Sequence, residues 1–143
     1  MTVNVFFYGL FMDESVVAER GIFPSASVVG YVDGYALRLG TRAALLPEVG
    51  ARAYGMLMTV DPAKLEPLYA QESVADYVAE TVSVTLKNGS LVEARCYNLP
   101  EGLLSGANPD YARQLYMLAT KLGFPDDYLK QIEREGRTGG ASE

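Results

Sequence analysis

The sequence predicts an α+β fold, and three observations carry the prediction. Runs of β-branched and aromatic residues fill the first two-thirds of the chain, Val3 to Tyr8 being nearly continuous. Thr81 to Leu86 and Leu91 to Tyr97 flank Lys87-Asn88-Gly89-Ser90, whose Asn-Gly pair marks a β-hairpin. Helical spacing is concentrated near the end, where Leu115, Leu118, Ala119 and Leu122 fall at i, i+3, i+4 and i+7 on a single face. Strands first and helices last is the order of an α+β chain, not of alternating βαβ units.

Each element has a local reason. Val3 to Tyr8 reads as a strand covered on both faces, and Gly9 breaks it. Asp13 to Arg20, followed by Gly21, reads as a short helix with a side-chain acceptor at one end and glycine at the other. Val28 to Leu39 surrounds Asp33-Gly34, a dipeptide that favours hairpin turns. Ala51 to Val60 is a further strand, with Gly55 marking a bulge or a close backbone approach. Asp61-Pro62 starts a helix, and Pro67 leaves it either kinked or in two pieces, running to about Gln71. Asn108-Pro109 opens the helix that Gly123 stops, and Pro125 begins the last one, carrying Leu129 and Ile132.

The chain has 143 residues, 49% of them hydrophobic, which is enough for one domain with a real core. We assign residues 1–135 to that domain and the polar, glycine-rich residues 136–143 to a frayed tail. Twelve Lys and Arg against eighteen Asp and Glu leave a net charge of −6, which argues against nucleic-acid or anionic-membrane partners. No histidine is present, so Ser-His and Cys-His pairs and His-ligated metals are excluded. The single cysteine, Cys96, permits no internal disulfide and suits a reducing cytoplasm. No apolar run is long enough for a signal peptide or a membrane span.

Phosphate-binding loops, dinucleotide fingerprints, nucleophile elbows and cysteine pairs are all missing. Three features remain. Tyr8-Gly9-Leu10-Phe11-Met12 follows a strand and precedes a helix, so its successive N–H groups form either an oxyanion site or an ordinary turn. In Leu68-Tyr69-Ala70-Gln71-Glu72-Ser73, Glu72 is either a solvated helix-end residue or a base whose pKa is raised at an apolar rim. Of ten tyrosines, Tyr8, Tyr54, Tyr69, Tyr77 and Tyr97 lie near strand ends or the Glu72 segment. They line a pocket or half-bury themselves as packing residues.

In this order the motifs resemble the γ-glutamylcyclotransferase-like family. Tyr8-Gly9-Leu10-Phe11 corresponds to its Tyr-Gly-Ser/Thr-Leu motif, and Gly55-Met56-Leu57 to its Gly-Xaa-Leu strand. Leu68-Tyr69-Ala70-Gln71-Glu72 corresponds to Leu-Asp-Xaa-Xaa-Glu, followed by Tyr77 and Val82-Ser83-Val84. Ala94-Arg95-Cys96-Tyr97 and Leu122-Gly123-Phe124-Pro125 also look like larger members. Leu10 stands where the family has Ser or Thr, and Tyr69 where it has Asp.

The resemblance implies a small mixed β-barrel with flanking and C-terminal helices. It also implies intramolecular aminolysis of a γ-glutamyl amine or small peptide, releasing 5-oxoproline. Glu72 would be the general base, the amides of Gly9 and Leu10 would hold a carboxylate or oxyanion, and Tyr8, Phe11 and Tyr77 would contact substrate. No metal or organic cofactor is required. The competing class is a non-catalytic protein that binds a small polar ligand in the same cavity; Leu10 favours it, and Glu72 favours the enzyme. Exposed C-terminal helix faces leave a homodimer open.

Overall fold

A computed structural model describes residues 2–70 and 74–138. The described residues fall into two compact units, one drawn from Met1–Val32 and Gly55–Asn98, the other from Asp33–Tyr54 and Leu99–Glu143.

Five strands close a mixed barrel in the order β1-β3-β2-β4-β5, where β1 is Val3–Phe7, β2 Ala26–Leu39, β3 Ala43–Val60, β4 Val78–Leu86 and β5 Leu91–Asn98. β1 runs antiparallel to β3, from Val3 opposite Val60 to Phe7 opposite Met56. It runs parallel to β5, with Val5 beside Arg95. β1 is therefore flanked on both edges, and Val5, Phe6 and Phe7 are all buried, as a continuous apolar run requires. β4 and β5 form the hairpin expected at Asn88-Gly89, in which Gly89 takes the positive φ of 87° that the turn demands.

Gly55 is a point of close approach. A Cβ there would lie 2.3 Å from the Phe7 carbonyl oxygen and 2.6 Å from the Phe6 ring. The helix α1, Glu14–Ala18, begins at Asp13, whose carboxylate accepts from the Ser15 amide at 2.9 Å. The Asp61-Pro62 segment forms two pieces, a 3-10 turn at Pro62–Lys64 and then α2 at Leu65–Tyr69, so Pro67 falls within the first turn of α2, where its missing N–H costs little. The expected helix end at Gln71 lies outside the described residues.

In the second unit, Asn108 caps α3, Pro109–Lys121, by accepting from the Tyr111 amide at 3.1 Å. Ala112, Leu115 and Ala119 form its buried stripe. The helix α4, Asp126–Thr138, buries Tyr128, Leu129 and Ile132. It continues through the first residues assigned to the tail, and residues 139–143 are not described.

Two expectations need correction. Asp33-Gly34 is not a hairpin turn: β2 runs through it, and Gly34 uses its positive φ of 86° inside the strand. A dipeptide that supplies positive φ serves a strand irregularity as well as a turn. β3 starts at Ala43, not Ala51, so its first half includes Pro47, a residue that argues against a strand when read locally.

Candidate active site

The first unit gathers most of the expected site residues at the end of β1. Tyr8, directly after the strand, is 5% exposed. Its hydroxyl lies 3.1 Å from both the Tyr97 carbonyl oxygen and Asn98 Oδ1, so a single proton is shared between two acceptors on β5. The chain then turns at Gly9 into a single 3-10 turn, Leu10–Met12, closed by the Met12 amide donating to the Gly9 carbonyl at 3.0 Å. The leading amides of such a turn, those of Gly9, Leu10 and Phe11, have no carbonyl within it to bond, and no side chain caps it. Leading amides of a turn are the kind of donor that suits a carboxylate or a developing oxyanion.

Phe11 links this loop to the segment around Glu72. Its ring meets Phe7 at 5.9 Å and Tyr69 at 5.8 Å, both edge-on. Tyr69 in turn stacks on Tyr97, with centroids 4.0 Å apart and planes 12° from parallel, and lies 6.2 Å from Tyr77. One contiguous wall of rings thus joins the residues on both sides of Glu72 in sequence to the Tyr8–Phe11 loop. Offset and edge-to-face pairs at these spacings add roughly 0.5–1.5 kcal/mol each beyond burial. Glu72 itself lies outside the described residues. Tyr54 does not join the wall; it packs in the second unit, 5.1 Å from Tyr128 and 5.7 Å from Phe124.

A polar chain on the opposite face of β5 escaped the sequence reading. Asn98 is 6% exposed and accepts from Tyr8, while its Nδ2 donates to Glu80 Oε2 at 3.4 Å. The two bonds fix which way the amide points, since the oxygen must face the phenol and the nitrogen the carboxylate. A signal was present: Ala94, Cys96 and Asn98 occupy the inward phase of β5, so a polar residue ends an apolar row. Cys96 is opposite Glu80 in the hairpin. Burial, and after it the Glu80 carboxylate, pushes the Cys96 thiol from 9.0 up to about 12.

Among the described residues, no group of three or more Cys, Asp or Glu gathers as metal ligands would. The second unit carries an open groove of about 620 Å³ lined by Asp33, Arg52, Tyr54, Asp127, Tyr128 and Gln131 among others. Its polar groups partner one another: Arg52 meets Asp33 at 2.6 Å, and the Tyr128 hydroxyl donates to the Tyr54 carbonyl at 3.4 Å. Tyr54 lines it, but Tyr8, Gly9, Leu10, Phe11 and Tyr77 do not. Size alone does not identify the chemistry, and the loop after β1 is the better candidate.

The closed mixed barrel with its helices is a fold shared with cyclotransferase-like proteins. Residues 5–117 match the family model described as gamma-glutamyl cyclotransferase, AIG2-like, and the chain belongs to that family. Solved structures share the fold. One named gamma-glutamyl cyclotransferase superposes with a TM-score of 0.73 at 17% identity, over 93% of this chain and 87% of its own. An uncharacterised protein from Homo sapiens gives 0.72 at 19% identity, over 92% and 86%. YkqA from Bacillus subtilis gives 0.76 at 19% identity, over 96% of this chain but 55% of that longer protein. No match was found among curated proteins.

Proposed function

We propose that this chain is a cyclotransferase that cyclises a γ-glutamyl amine or a small γ-glutamyl peptide to 5-oxoproline. The observation that supports this reading best is the ring wall, in which Phe11 of the Tyr-Gly loop meets Tyr69 and, through it, Tyr77. Those two tyrosines bracket Glu72 in sequence.

In the reaction, the free α-amine of the glutamyl group attacks its own γ-carbonyl. A ring C–N bond forms, the original amide C–N bond breaks, and one proton passes from the attacking to the departing nitrogen. Glu72 accepts that proton and returns it to the leaving group. The Gly9 and Leu10 amides stabilise the charge on the carbonyl oxygen or hold the substrate carboxylate. Nucleophile and electrophile belong to one molecule, so the protein chiefly folds the substrate into attack geometry. A positioned carboxylate then contributes about 10²–10⁴-fold. The chemistry asks for no metal or organic cofactor, and the unpaired Cys96 fits a cytoplasmic setting. No helix among the described residues is long and apolar enough to cross a membrane.

Incubation with a panel of γ-glutamyl amines and dipeptides, scored for 5-oxoproline, tests the proposal. Glu72→Gln is expected to lower release by at least 10²-fold with an unchanged circular dichroism spectrum. Equal release from both proteins removes Glu72 from the mechanism. Leu10 supports a second reading, a protein that binds the same ligands without turning them over, because the loop lacks the family's hydroxyl. Saturable binding of the panel with no 5-oxoproline formed identifies that case.

A further inference from the structure

Resting on the cyclotransferase reading, we propose that Arg95 determines specificity, recognising a carboxylate carried by the leaving group. The protein would then prefer γ-glutamyl amino acids to γ-glutamyl conjugates of uncharged amines.

Arg95 is half-buried on β5, opposite Thr81 on β4 and beside Val5 on β1. In this acidic chain, Arg38, Arg52 and Arg113 each reach a carboxylate: Glu48, Asp33 and Asp110 respectively. Arg95 does not. Its recorded partner among the described residues is the Tyr97 hydroxyl, 3.4 Å from Nη1. Glu93 shares the same face of β5 two residues back, yet the guanidinium turns away from it and toward the ring wall. Among the described residues that phenol is no counter-ion for the guanidinium, whose planar fork of N–H donors fits a carboxylate.

Register decides which carboxylate. Arg95 is level with Val5, and the Gly9 amide lies four residues farther along, about 13 Å at 3.3 Å per residue. The Tyr97 and Tyr69 rings stand in that interval, because Tyr97 is two residues beyond Arg95 and stacks on Tyr69. With the Gly9 and Leu10 amides holding the substrate carboxylate, the second of the two roles proposed for them, a glutamyl group leaves its own carboxylate at the loop. The group that extends past the rings toward Arg95 is the one attached to the γ-carbonyl. Its carboxylate would replace the missing partner.

The test compares γ-glutamyl-L-alanine with γ-glutamyl-L-alaninamide, identical except for that charge. Calorimetric titration of the full-length protein, using Glu72→Gln to prevent turnover, reads binding. The expected result is about 10- to 100-fold tighter binding of the acid, reduced to near parity in Arg95→Gln and partly restored in Arg95→Lys. KM for the acid should rise in Arg95→Gln with kcat little changed, and KM for the amide should not move. Equal affinity for the two compounds, or a preference that survives Arg95→Gln, overturns the assignment. If 5-oxoproline forms without discrimination, only Arg95 is misassigned. If the acid is preferred through Arg95 and no 5-oxoproline forms, the cyclisation reading fails and Arg95 stands. Binding of neither compound overturns both.

Discussion

Replacing Gly55 with alanine probes the close approach of β3 to β1 beneath the loop most directly. The new Cβ would sit 2.3 Å from the Phe7 carbonyl oxygen and 2.6 Å from Phe6 Cζ. Ordinary contact begins near 3.4 Å, so about 1 Å of separation must be found. The near atom belongs to backbone paired with β3, and Phe6 is 1% exposed, so neither can swing aside freely. Overpacking of this kind costs roughly 1–3 kcal/mol, and contact with backbone places the change toward the upper end. At about 2–4 °C per kcal/mol for a chain of this size, the melting temperature should fall by roughly 4–12 °C. The control is Gly102→Ala, where an added Cβ meets nothing within 4 Å and φ is not positive. Loss of backbone freedom in the unfolded chain should stabilise that variant by up to about 1 kcal/mol. Thermal melts followed by circular dichroism, with urea titrations as a second measure, separate the two signs. A Gly55→Ala melt within about 1 °C of wild type would show that the strands part without resistance, and the argument for a tight β1–β3 contact beneath the loop would fail.

Two further outcomes follow from the polar chain on β5. Tyr8→Phe removes the donor shared by Tyr97 and Asn98 and leaves a buried acceptor without it, costing about 1–3 kcal/mol in urea unfolding. Tyr8→Phe combined with Asn98→Leu should cost less than the sum of the single changes, by at least about 0.5 kcal/mol; strict additivity would mean the bond contributes nothing. The Cys96 thiol, raised to about 12, stays protonated in the fold while the unfolded chain loses its proton near pH 9. Its contribution is complete below pH 9 and fades as the pH climbs toward 12. The stability difference between wild type and Cys96→Ala should therefore shrink by up to about 1.4 kcal/mol per pH unit above 9, and a difference independent of pH contradicts it. Tyr128, raised by burial, weakens the fold in the same alkaline direction, so the comparison rests on the difference between proteins and not on either curve alone.

The elements that were legible in the sequence are those specified by local chemistry. Asn88-Gly89 turns the β4–β5 hairpin because the turn needs positive φ, and Asn108 starts α3 because its side chain satisfies the Tyr111 amide. Val3 to Phe7 reads as a strand covered on both faces, and its consecutive residues Val5, Phe6 and Phe7 are all buried. Elements defined by distant partners were harder to read. Asp33-Gly34 has the composition of a turn, yet β2 continues through it, and Leu37 and Leu39 beyond it are buried. Ala43 to Gly50 carries Pro47 and exposes its last four residues, so no alternation announces a strand. The parallel contact of Val5 with Arg95, which closes the barrel, joins residues ninety positions apart and leaves no local trace.

The site divides along the same line. Tyr8-Gly9 at a strand end and a carboxylate after a proline-broken helix are visible as types of residue, and the family resemblance supplies their order. The contact between the Tyr8-Gly9 loop and the helix Leu65–Tyr69 depends on Phe11, Tyr69 and Tyr97, three rings from three segments, and no periodicity within one segment specifies a contact to another. Tyr69 illustrates the difference. Read locally, it is a departure from the family's aspartate; in the fold it is the ring that touches Phe11, Tyr77 and Tyr97 at once. Substituting a carboxylate there would set a charge between apolar rings at the point where the loop is held, so this chain has tied its position at 69 to an aromatic wall. A Tyr69→Asp reversion should accordingly loosen the loop, not restore a lost function.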